Sequence, residues 1–80
     1  MNIMPGNVVL RLMDEHGVPF ELIQDRLREE NSGFDVLDFL KSCEKNPNYG
    51  LEKGYKILIQ YNDNSEVIKL IKRLIVENFK

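Results

Sequence analysis

Cysteine is almost missing from this chain: Cys43 is the single thiol, so no disulfide can form within it. Small secreted domains usually rely on such crosslinks, and doing without them points to a reducing compartment. Long apolar runs are missing too. Charged residues interrupt every stretch, and Met1-Asn2-Ile3-Met4-Pro5 has neither the basic nor the apolar part of a signal peptide. A cytoplasmic location with no membrane partner is therefore expected. Nor is there an excess of positive charge. Eleven basic residues face 13 acidic ones, a net of −2, which gives nucleic acid little to attract.

The raw material of catalysis is equally scarce. His16 is the only histidine, and a metal site built from it, Cys43 and scattered carboxylates would lack any recognisable spacing. At the end of a helix, His16 simply suits the local dipole. Cys43 falls in an apolar stripe beside Leu40, where a thiol is buried and inert. The five glycines are dispersed over turns and helix ends, so no phosphate-binding loop exists. Neither an enzyme nor a cofactor is expected.

What is present is apolar periodicity. With 42% hydrophobic residues over 80 positions, one small domain with a single core is expected. A chain of this length buries only about 60–65% of its unfolded surface. A first helix is predicted from about Gly6 to His16, with Val9, Leu12, Met13 and His16 on one side and Gly17 as its stop. Pro19 opens a second, whose core stripe is Phe20, Ile23 and Leu27. Asn31-Ser32-Gly33 ends it, and Ser32 with Asp35 approximates a capping box for a third helix burying Val36, Phe39, Leu40 and Cys43. Leu37 sits at the edge of that stripe, and Pro47 ends the helix.

The fourth helix is contested, because Lys56–Tyr61 has the β-branched and aromatic character of a strand. No other segment reads as extended, however, and Leu51, Tyr55, Leu58 and Ile59 fit a helical repeat. Tyr55 and Leu58 are expected to turn inward against Phe39 and Ile71. Asn64 or Ser65 caps a fifth helix, where Val67, Ile68, Ile71, Leu74, Ile75 and Phe79 form a broad apolar face. The predicted fold is all-α, a compact antiparallel bundle of five short helices.

The order of these segments resembles a caspase-recruitment domain of the death-fold superfamily. The residues that carry the resemblance are Val36-Leu37-Asp38-Phe39-Leu40-Lys41, then Gly50-Leu51-Glu52-Lys53-Gly54-Tyr55 with Leu58, then Val67-Ile68-Lys69-Leu70-Ile71. The Gly50, Gly54-Tyr55 and Leu58 arrangement is similar to the versions in viral-RNA-sensing helicases. The family has six helices, and the first has no counterpart here. The resemblance implies an innate-immune adaptor that stacks on itself or on another death-fold domain by pairing an acidic face with a basic one.

Charge distribution supplies candidate faces independently. Through Asn46 there are nine acidic and five basic residues, and from Pro47 onward four acidic and six basic. Opposite signs at the two ends favour head-to-tail attraction between copies. Glu21, Asp25 and Glu29 form an acidic ridge on the second helix, joined by Asp14 and Glu15 at the end of the first. Lys69, Lys72 and Arg73 form a basic ridge on the fifth. Leu22 and Val76 lie off their apolar stripes and are expected as exposed apolar contacts. Charged helix faces are usually just solvated, so two other classes stay open. One is a free-standing phage or bacterial regulator that inhibits a single target protein. The other, weaker, is a helix-turn-helix DNA reader. Its recognition helix, Phe34–Glu44, would carry Asp35, Asp38 and Glu44 into a field of phosphates.

Overall fold

Two short extended segments organise the helices. In the computed structural model, which describes residues 2–79, β1 (Ile3–Met4) and β2 (Gly33–Phe34) pair in parallel, Ile3 opposite Gly33 and Met4 opposite Phe34. The Gly33 N–H donates to the Asn2 carbonyl (3.1 Å) and the Asp35 N–H to that of Met4 (2.9 Å). Each strand runs straight into a helix: β1 into α1 (Gly6–Asp14) and β2 into α3 (Val36–Lys45). Between them lies α2 (Phe20–Glu29), and α4 (Gly50–Gln60) and α5 (Ser65–Asn78) complete the chain.

The five helices appear as expected, but the two strands correct the all-α reading, and the bundle is not antiparallel throughout. A parallel bridge makes α1 and α3 set out from the same end, which brings two positive helix termini together. Carboxylates offset this. Asp35 caps α3, accepting from the Asp38 N–H (3.0 Å), and Asp38 in turn accepts from the Asn7 N–H of α1 (2.8 Å). The expected cap at Ser32 is corrected: its N–H instead closes the end of α2 on the Leu27 carbonyl (2.7 Å), past Asn31 in the left-handed region. Helix α1 also stops at Asp14, two residues short of the expected His16, which is exposed in the following turn; Gly17 takes a φ of +64° there.

Helix α3 is the centre of the core. Phe39, Leu40 and Cys43 are fully buried, with α1 and α4 packed closely on either side. Val9 and Leu10 from α1, Phe20, Ile23 and Leu27 from α2, Leu58 from α4 and Ile71 from α5 complete the cluster. Aromatic rings join four elements. Phe39 lies 5.7 Å from Phe34 and 6.0 Å from Phe20, and Phe20 lies 5.6 Å from Tyr61 at the end of α4.

Helix α4 is helical through the contested Lys56–Gln60 stretch. Its inward line is nevertheless Gly54 and Leu58, while Tyr55 stays half-buried at the edge of the core. Bare backbone at Gly54 lets the helix lie directly on Cys43: a Cβ there would stand 2.7 Å from Sγ. The thiol is sealed beneath it. Burial pushes the Cys43 pKa from 9.0 up to about 12. A thiol-specific reagent at pH 8 is therefore expected to label the native protein only as fast as it unfolds, and the denatured protein at once. Because the unfolded thiol ionises first, this group's contribution to stability is full below pH 9 and is lost as pH rises towards 12. Cys43→Ala should lack that part of the alkaline slope in urea titrations, whereas immediate labelling of the native protein would contradict the burial.

Candidate functional site

Helix α5 shows a broad apolar face in sequence, yet only Ile71 is buried in it. Its N-terminus is set by Asn64, whose side chain accepts from the Glu66 N–H (2.9 Å). Val67, Ile68, Leu74, Ile75 and Phe79 are half-buried, and Leu70 is 55% exposed. The apolar stripe is real, but the other helices approach it too sparsely to cover it. Between α4 and α5 the gap opens as a groove of about 560 Å³, walled by Leu51 and Tyr55 on one side and Ile75 and Val76 on the other. Glu52 and Lys72 stand at its rims.

The expected basic ridge flanks this groove. Lys69, Lys72 and Arg73 are all exposed on α5. Lys69 reaches Glu66 (3.8 Å), while Lys72 and Arg73 have no ion-pair partner among the described residues. Glu52 is paired with Lys56 (3.2 Å), so the positive charge of Lys72 is the uncompensated one at the rim. Val76 is 63% exposed, as its place off the stripe implies.

A second groove, about 630 Å³, lies between α1 and α2. Met4, Leu12, Val18 and Leu22 supply apolar lining, and Asp25, Arg26, Glu29 and Glu30 a mixed edge that is acidic on balance. Leu22 is 54% exposed. The acidic ridge is real in position but diluted in charge: Asp25 pairs with Arg28 (3.4 Å), and Arg26 with Glu30 (3.3 Å). Glu21 and Glu29 are exposed with no ion-pair partner among the described residues. All of these pairs are open to solvent and contribute only about 0–1 kcal/mol each.

Asp14 and Glu15 stand apart from this ridge in what they do. The Asp14 carboxylate accepts from the side-chain amides of Asn46 (3.0 Å) and Asn48 (3.3 Å), tying the end of α1 to the α3–α4 loop. Glu15 pairs with Arg11 (3.7 Å) on its own helix. Beside that loop, burial and then the charge of Asp14 raise the Tyr49 phenol, over whose ring Lys53 Nζ sits at 5.0 Å.

Among the described residues no group of three His, Cys, Asp or Glu side chains is arranged to hold a metal ion, and no helix is long and apolar enough to cross a membrane. No family model, curated protein or solved structure matches the chain. The grooves were not visible in the sequence, since each depends on how far apart two helices come to rest. Their one linear signal was the pair of off-stripe residues, Leu22 and Val76.

Proposed function

We propose that this chain is a non-enzymatic, cytoplasmic interaction module that binds another helical domain, or itself, through complementary charged faces. The observation that carries this reading is α5, an amphipathic helix whose apolar stripe is left half-covered and bordered by uncompensated cations. Apolar surface of that kind, rimmed by charge, is where partners dock. The α4–α5 groove does not gather polar groups as a reaction would require, because its walls are aliphatic and aromatic and its charges, Glu52 and Lys72, stand at the edges. A caspase-recruitment-like adaptor role is the specific form suggested by the resemblance from the third helix onward.

Helix-turn-helix binding draws less support. Helix α3 would be its reading helix, yet α3 is covered by α1 and α4, and its Asp35 and Asp38 are engaged as caps.

The test is charge reversal with affinity capture from the native cell. Asp25→Lys and Lys72→Glu should each reduce recovery of the captured protein several-fold, with circular dichroism unchanged. Full recovery with both variants would show that the charged faces are merely solvated. Capture of one target at fixed 1:1 stoichiometry, insensitive to both reversals, would instead favour the inhibitor reading.

A further inference from the structure

We propose that the occupant of the α4–α5 groove is helix α2 of a second copy, docked antiparallel along α5 with Leu22 seated beside Val76. This rests on the interaction-module reading and names its partner and register. The argument comes from spacing. Leu22, Asp25 and Glu29 lie within about 60° of one another around α2, at roughly 100° per residue. Val76, Lys72 and Lys69 lie within about 60° on α5 by the same count.

Their axial order is what selects the direction. From Leu22 the chain reaches Asp25 after about 4.5 Å and Glu29 after about 10.5 Å. From Val76, running backwards, it reaches Lys72 after about 6 Å and Lys69 after about 10.5 Å. Antiparallel helices with Leu22 against Val76 therefore place Asp25 opposite Lys72 and Glu29 opposite Lys69 together. Turned parallel, the same apolar contact carries the acids away from the cations.

The neighbours are compatible with this register. Lys72 and Glu29 have no ion-pair partner of their own among the described residues, while Asp25 and Lys69 hold only exposed intrahelical ones, to Arg28 and Glu66. Arg73 falls beside Arg26, whose charge is balanced by Glu30, and Glu52 at the far rim is balanced by Lys56. Each protruding side chain also finds space: Leu22 in the α4–α5 groove, and Val76 at the mouth of the α1–α2 groove. The two faces differ, so each copy retains one free face after docking, and association is head to tail, into open chains or rings.

Sedimentation at sub-millimolar protein and low salt tests this with single reversals and their mixture. The wild type should self-associate, and less so as salt is added. Asp25→Lys and Lys72→Glu should each weaken association about tenfold, roughly 1.4 kcal/mol. Mixed together they should recover it, since the two reversed charges then meet at one junction and the native Asp25 and Lys72 meet at the next. Disulfide trapping fixes the register: Glu29→Cys mixed with Lys69→Cys should crosslink, and Glu29→Cys mixed with Val76→Cys should not. Buried Cys43 does not compete. Self-association that ignores both reversals, or that crosslinks the second pair and not the first, overturns the register while the module reading stands. A wild type that stays monomeric overturns the second copy as occupant, and the capture experiment then decides the module reading on its own.

Discussion

Gly6→Ala is expected to destabilise this protein by about 2–5 kcal/mol, although alanine is the better helix former by about 1 kcal/mol. A Cβ on Gly6 would stand 2.6 Å from Phe39 Cα and overlap the Phe39 nitrogen and the Asp35 carbonyl oxygen. All three atoms are backbone, so no side chain can swing aside. Helix α1 would have to lift off α3. Overpacking of this kind costs about 1–3 kcal/mol, and losing the Asn7 to Asp38 hydrogen bond adds about 1.5–3. For a domain of this size, with a total stability of roughly 4–12 kcal/mol, that is a large share. Urea denaturation followed by circular dichroism reads the effect. An unchanged or higher midpoint would mean that α1 and α3 do not touch at this point.

Phe39→Ala is expected to cost about 3–5 kcal/mol and to leave much of the population unfolded. Its ring is fully buried and lies between Phe20 and Phe34, so truncation opens a cavity where α2, β2 and α3 meet. The cluster holds the ends of those elements in place, and little around it can collapse into the space. Leu70→Ala is the matched control: the side chain is of similar apolar character but exposed, and its loss should cost under about 0.5 kcal/mol. Equal effects from the two substitutions, measured by the same denaturation, would contradict the assignment of α3 as the central helix.

The periodic parts of this structure were legible in the sequence. Phe20, Ile23 and Leu27 on α2, and Phe39, Leu40 and Cys43 on α3, are buried as their spacing predicts, whereas Val36, expected with them, is only half-buried. Such spacing identifies the face that turns inward, because one side of a helix must leave water. It does not report how near the neighbouring helix comes. Hence the broad apolar face of α5 read as core, while only Ile71 has enough around it to be buried. The same limit hid Gly6 and Gly54, whose importance lies in contacts with residues remote in the chain. Two-residue strands were illegible for another reason: Ile3–Met4 and Gly33–Phe34 are too short to show alternation. Their consequence was large, since the parallel bridge sets α1 and α3 off from the same end.

Of the proposed contact residues, the apolar pair was the most readable. Leu22 and Val76 break the pattern of their helices, and a large apolar side chain out of register has nowhere to go but the surface. The structural tie of Asp14 was illegible, because its carboxylate is bound to Asn46 and Asn48, residues over 30 positions away. No local pattern announces such a tie. Leu51, Tyr55 and Ile75 were taken as core, and they do touch it, but their outer sides wall the α4–α5 groove.

Backbone amide NMR over a dilution series tests most directly whether this molecule acts through its α2 and α5 surfaces. On concentrating the protein, shifts should move together along Leu22–Glu29 and Lys69–Val76, with the walls at Leu51 and Tyr55, and should revert as salt is raised. Shifts gathered instead around the α3–α4 loop, or a spectrum indifferent to concentration and salt alike, would contradict it.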